Sequence, residues 1–285
     1  MQLDFDSNSQ MLKTRVITAL VLLAVLLPIL FLLPAVYIGA FFLVALLAAA
    51  WEWSRLLAPE AERAAWLYAL FCLAIILILL GMQNASWQFA LLMLAVIFWF
   101  FIAPFLLAKG MNLSLLKMRP FYVILGLILL PATWFALVFL RELGLVFLLS
   151  TIAFVWVADI GAYFVGKAFG KRKLAVQISP GKSVEGAIGG LLLCYAYALL
   201  CVVYLPFEST LFGAWAIRFG WVPMLLMVTV LTAFSIFGDL FESQLKRLAG
   251  VKDSSHLLPG HGGVLDRVDA LIPTMPIAAL LAGLV

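Results

Sequence analysis

The stretch Ser243–Asp269, SQLKRLAGVKDSSHLLPGHGGVLDRVD, lies between two long apolar runs. It gathers basic, acidic, histidine and glycine residues in a chain that is otherwise mostly hydrocarbon. Runs of helical length on both sides make it a polar connection at a membrane surface, and the rest of the chain is read outward from it. The chain is 66% hydrophobic and only 11% charged, with a mean hydropathy of +1.19. Soluble domains are nearer half apolar and about a quarter charged. A bilayer can accommodate that much apolar surface and a globular core of this length cannot. The fold class expected is therefore an all-α polytopic membrane protein.

Nine transmembrane helices are expected, near Val16–Leu33, Ala35–Trp51, Ala64–Leu80, Trp87–Ala108, Phe121–Leu140, Leu143–Gly166, Val184–Leu205, Trp221–Phe241 and Ala270–Val285. Residues 1–12 read as a flexible tail, 13–140 as an N-terminal transmembrane region, and 141–285 as a catalytic region with polar loops 166–186 and 243–269. With nine crossings and a cytoplasmic N-terminus, only Arg141 and Arg218 of the 18 Lys and Arg residues fall outside. That asymmetry follows the positive-inside rule and sends the C-terminus outside. Trp51, Trp53, Trp87 and Trp221 fall near helix ends, as an interfacial belt would, and Pro104 and Pro131 fall inside helices as kink sites. Cys72, Cys194 and Cys201 lie in apolar runs without metal or disulfide spacing and read as small hydrophobes.

An ionisable side chain at the bilayer centre costs roughly 2.5–3.5 kcal/mol even on lenient scales, so each one calls for a reason. Asp159, Glu185, Asp239, Glu242, Asp266 and Asp269 all fall at the cytoplasmic ends of their helices. Asp239, Glu242, Ser243 and Lys246 share one helix face by their spacing, and Asp266 and Asp269 are likewise three apart. Two arrangements fit these residues. Asp239 and Asp266 hold Mg²⁺ against a phosphorylated ligand, with Asp269 and Glu242 behind them or as alternative ligands, or the acids form interhelical salt bridges, Asp239 with Lys246 or Asp266 with Arg267. Lys246, Arg247, Lys252 and Arg267 are the candidates for neutralising phosphate charge.

Pro259-Gly260-His261-Gly262-Gly263 breaks any helix, and its glycines let backbone N–H groups approach an anion. Gly262 and Gly263 are therefore candidate ligand contacts, with His261 either donating to a phosphate or capping the turn, and a plain loose turn is the alternative. His256 reads as a surface residue. In the other loop, Ser179-Pro-Gly-Lys182-Ser183 resembles the tail of a phosphate-binding loop, but Val176 stands where that motif needs glycine. Ser179, Lys182 and Ser183 remain a basic turn opening a helix and suited to a nucleotide phosphate, while Lys171–Lys173 suit anionic lipid. The serine–lysine spacings Ser179/Lys182 and Ser243/Lys246 lack the partner motifs of an acyl-enzyme mechanism.

The run Ser243-x-Leu-Lys246-Arg247-x₄-Lys252-Asp253-x-Ser255-x₂-Leu258-Pro259-x-His261-Gly262-Gly263-Val264-x-Asp266-Arg267-Val268-Asp269 resembles the signature of the phosphatidate cytidylyltransferases, or CDP-diacylglycerol synthases. Ser179-Pro-Gly-Lys182-Ser183-x-Glu185-Gly186 and Asp159-x-x-Ala-Tyr163 resemble companion motifs of that family. The resemblance implies Mg²⁺-dependent transfer of CMP from CTP to phosphatidate, with metal at Asp239 and Asp266, a monovalent cation such as K⁺ beside it, and a homodimer. Asp159 would orient a ligand or a lysine. It also implies a multi-pass protein of the cell inner membrane with its site on the cytoplasmic side and no nucleic-acid partner. The CDP-alcohol phosphotransferase pattern DxxDG is absent, and a transporter would carry its acids at mid-membrane among internal repeats.

Overall fold

In the computed structural model the described residues are Ala24, 28–82 and 84–285. The expected N-terminal tail, Lys13, Arg15 and most of the first expected helix lie outside them. Among the described residues, seven helices are long and apolar enough to cross a membrane. They are α1 (Ala35–Leu57), α2 (Glu62–Gly81), α3 (Ala85–Lys109), α4 (Leu115–Leu143), α5 (Leu145–Phe169), α6 (Val184–Tyr204) and, after a short α7 (Leu211–Phe219), α8 (Trp221–Leu248). Each answers one of the expected helices. The hydrophobic pattern runs nearly all round them, so backbone hydrogen bonds are closed within each segment and the apolar side chains face either neighbours or lipid.

The expected last helix is entered through a separate helical turn. A single turn, α9 (Leu265–Val268), leads into α10 (Leu271–Ala282), whose 12 residues reach only about 18 Å. Residues Leu271 to Ala279 of α10 are all buried, against α4, α8 and α3. This element is packed inside the bundle rather than facing lipid. It also ties the N-terminal helices to the C-terminal ones, because α4 packs on both α1 and α10.

Proline departures are absorbed locally. Pro104 is preceded by a π-helical turn, Phe98–Ile102, inside α3, so the wider winding accommodates the ring and the missing N–H. Two of the expected belt tryptophans are core instead. Trp53 is buried with its Nε1 donating to the Tyr122 carbonyl at 2.9 Å, and Trp51 is buried beside it in sequence. Trp87 and Trp221 are exposed, as a belt requires.

The closest helix pair is α5–α6, and small residues make it so. Gly161 meets the Gly190 Cα and the Gly189 carbonyl, and Gly190 sits against the Ala158 carbonyl. Between these helices the chain departs from pure helix. Strands β1 (Lys173–Ala175) and β2 (Ser179–Ser183) form a small antiparallel hairpin. Glu185 in the first turn of α6 binds its base, accepting from the Lys171 and Arg172 amides and from Arg172 Nε. Ser183 ends β2 and caps α6, its Oγ accepting from the Gly186 amide at 3.1 Å.

Candidate active site

A polar cavity of about 590 Å³ opens where α5, the hairpin, the C-terminal half of α8 and the α9 turn meet. The sequence motifs converge on it from four elements. Helix α5 contributes Asp159, Tyr163 and Lys167, and the hairpin contributes Ser179, Lys182 and Ser183. Asp239 and Lys246 come from α8, Asp253 from the following loop, and Asp266, Arg267 and Asp269 from α9 and its end. Five carboxylates therefore face four cations in one water-accessible recess among membrane-spanning helices.

Neither of the two salt bridges written as the alternative forms; the acids choose other partners. Asp239 Oδ2 takes Lys182 Nζ from the hairpin at 2.5 Å, and its Oδ1 accepts from Ser243 Oγ at 3.3 Å. Lys246 bridges two acids, Glu242 at 2.6 Å and Asp266 Oδ1 at 2.5 Å. Asp266 Oδ2 accepts three further hydrogen bonds, from the Ser254 amide, Ser254 Oγ and the Gly263 amide at 3.0, 2.9 and 2.7 Å. Burial pushes the Asp266 carboxyl up, but Lys246 and the Gly263 amide outweigh it and hold the group down at about 2. Asp269 shows the reverse. Burial and then the nearby Asp239 charge raise it well above the ordinary carboxylate range.

Several sequence candidates stand elsewhere. Glu242 is buried behind Lys246 and does not line the cavity. Arg247 is exposed and donates to the carbonyl of Val251, just beyond the end of its helix, at 3.1 Å. Lys252 is exposed outside the lining residues. His261 is outside too, and its carbonyl accepts twice from Arg267, at 3.1 and 2.7 Å. The Pro259–Gly263 segment is a built turn, with Gly260 and Gly262 at positive φ. The amide at its end and the two that follow it converge on the chain's own carboxylates: Gly263 donates to Asp266, and Val264 and Leu265 donate to Glu52. Neither Gly262 nor Gly263 is among the residues lining the recess.

Glu52 is the residue that motif reading passes over. It lies in α1, more than 200 positions before its partners, and belongs to no motif. The signal that could have found it is an acid inside an apolar helix, the same rule that singled out Asp159 and Asp239.

The lining acids offer hard oxygen donors, which suit Mg²⁺. Among the described residues no group of three or more His, Cys, Asp and Glu side chains forms a ready-made cage. Acids outnumber bases by one among the lining residues.

A membrane bundle with a cation-and-carboxylate recess of this kind is suited to an integral membrane enzyme of phosphorylated substrates. Comparison with known proteins narrows the class. Residues 13–285 match the family described as the cytidylyltransferase family, and the chain belongs to it. It is similar to a phosphatidate cytidylyltransferase of Pseudomonas aeruginosa, 39% identical over 95% of this chain and 97% of that one. A phosphatidate cytidylyltransferase of Haemophilus influenzae is 52% identical over 47% of this chain and 44% of its own. One from Bacillus subtilis is 41% identical over 51% and 50%.

Proposed function

We propose that this chain is a CTP:phosphatidate cytidylyltransferase of phospholipid biosynthesis, working at the cytoplasmic face of the cell inner membrane. The reaction is CTP + phosphatidate → CDP-diacylglycerol + pyrophosphate. The observation that carries the reading is the meeting of two lysine–carboxylate pairs from separate elements, Lys182–Asp239 and Lys246–Asp266, in one recess walled by membrane helices.

The chemistry asks little of the protein in the way of proton transfer. Phosphatidate is a phosphate monoester with a second pKa of about 6, so it is largely a dianion at neutral pH. One of its oxygens bonds to the α-phosphorus of CTP as the bond to pyrophosphate breaks, and no general base is required. The difficulty is bringing two polyanions into line and neutralising them. Lys182, Lys246, Lys167 and Arg267 line the recess and can meet phosphate oxygens, while Ser179 and Ser183 lie along the hairpin wall beside them. Mg²⁺, held by Asp239 and Asp266 with Asp269 adjoining, would supply charge neutralisation to the transferring phosphates, and a monovalent cation would share the recess. Asp159 lies on a face of α5 that also bears Trp156 and Tyr163, all three exposed, so the recess is open beside the lipid-facing surface. The lipid headgroup enters sideways from the inner leaflet and meets CTP from the cytosol. The enzyme acts as a homodimer in this reading, on the strength of the family resemblance.

The test is purified full-length protein in detergent with labelled CTP, phosphatidate and Mg²⁺. Labelled CDP-diacylglycerol is expected, and its absence overturns the reading. Asp239→Asn and Asp266→Asn should each lower turnover by at least ~10³-fold while the protein remains monodisperse. Near-normal rates at saturating Mg²⁺ would remove both from the ligand role.

A further inference from the structure

Glu52 lies five residues before the end of α1, between Trp51 and Trp53, and is 0% exposed. A carboxylate taken wholly out of water is strongly destabilising unless donors surround it. Four donors do. Oε1 accepts from Ser255 Oγ at 2.5 Å and from the Val264 amide at 2.9 Å. Oε2 accepts from Ser254 Oγ at 3.2 Å and from the Leu265 amide at 2.5 Å. Each oxygen thus holds one hydroxyl from the segment after α8 and one backbone amide from the start of α9.

Those two segments are the ones that hold Asp266. Ser254 gives Asp266 both its amide and its hydroxyl, and Gly263 gives its amide. Ser254 Oγ lies within hydrogen-bonding distance of both acids, Glu52 and Asp266. Gly263 fits only because it lacks a side chain: a Cβ there would run into Ser254 Oγ and the Glu52 carboxylate. Packing alone does not place the wall. A second cavity of about 380 Å³ lies along Asp253, Ser254 and Ser255, and Asp253 lines the main recess as well. A strand of loop with open space on two sides takes its position from hydrogen bonds.

We infer that Glu52 is a positioning residue for the catalytic recess: it pins both arms of the signature loop to α1 and thereby sets Asp266 relative to Lys246. Its role deepens the cytidylyltransferase reading and rests on it for the activity readout alone. The inference gives the N-terminal region, which carries no motif, a defined part in the site.

Glu52→Gln keeps the shape and removes one acceptor. A hydroxyl can rotate to suit a new NH₂ group, but the Val264 or Leu265 amide cannot, so one backbone donor faces another. In the full-length protein in detergent, hydrogen exchange of residues 253–266 should accelerate by at least ~10-fold in Glu52→Gln, with exchange in α5 and α6 unchanged. Wild-type exchange in that segment overturns the inference, whatever the substrate. In the CTP assay kcat should fall at least ~10-fold with KM for CTP within about threefold, the pattern of a misplaced reacting geometry. Ser254→Ala should lower kcat by itself, and the double variant should be no worse than about twofold below the poorer single one. Losses that multiply independently overturn the coupling. Should Glu52→Gln not survive extraction, Ser254→Ala decides, because it leaves both Glu52 amide contacts in place; wild-type kcat and exchange in that variant would overturn the inference.

Discussion

Asp266 and Asp269 stand three residues apart, yet their surroundings pull their carboxyls in opposite directions. Asp266, held at about 2 against an ordinary 3.8, favours the fold when charged. Its contribution, on the order of 2 kcal/mol, is complete above the ordinary value and is lost as pH falls from about 4 toward about 2. Asp269 is raised, so its contribution is present below the ordinary value and is lost as pH rises through the raised one. At pH 7 in chelator, Asp266→Asn should therefore lower the thermal midpoint of the detergent-solubilised chain, and Asp269→Asn should raise it. A lower midpoint for Asp269→Asn would contradict the assignment. Single residues of this kind were partly legible in the sequence. The acids and lysines announced themselves by standing in hydrocarbon, and Asp266 was marked by its motif. Their partners were not legible, because Lys182 and Asp239 are 57 positions apart and only the packing of the hairpin on α8 brings them together.

At the scale of elements, the α5–α6 seam fixes the distance between Asp159 on one helix and the hairpin that leads into the other. Its contacts involve backbone atoms, which cannot step aside. A Cβ on Gly190 would stand 2.8 Å from the Ala158 carbonyl oxygen, whereas one on Gly81 meets nothing within 4 Å. Gly190→Ala should destabilise the protein by about 1–3 kcal/mol and lower activity, while Gly81→Ala should leave both unchanged or slightly improve stability. Thermal unfolding in detergent decides it; equal midpoints for the two variants would show that the seam has slack. Element reading from sequence worked where hydrophobic length is the signal, as in α1 to α6 and α8. It was silent where the cause is tertiary. The run after Ala270 reads as apolar, but that α10 is enclosed by α3, α4 and α8 is a matter of packing. The hairpin arose in a loop whose Pro, Gly and Ser carry little strand preference, and Glu185 with Ser183 holds it in place.

For the whole molecule, the arrangement predicts sidedness. Arg218 is exposed on α7 and Lys252 is exposed beyond the far end of α8, whose 28 residues reach about 42 Å. All three native cysteines are buried, so an introduced one can be read against a quiet background. With a membrane-impermeant maleimide on intact cells, Arg218→Cys should label and Lys252→Cys should not, and inverted vesicles should reverse the result. Labelling of both from one side would refute the proposed orientation.

The pairing of Lys182 with Asp239 and of Lys246 with Asp266 has a consequence for how charged guests enter so oily a protein. Because Asp239 and Asp266 each already have an ammonium as companion, a dication entering with a phosphate would exchange partners with them, and the two lysines would be free to meet the phosphate. Neither of those acids need stand as a lone charge against lipid, which is the state the bilayer penalises.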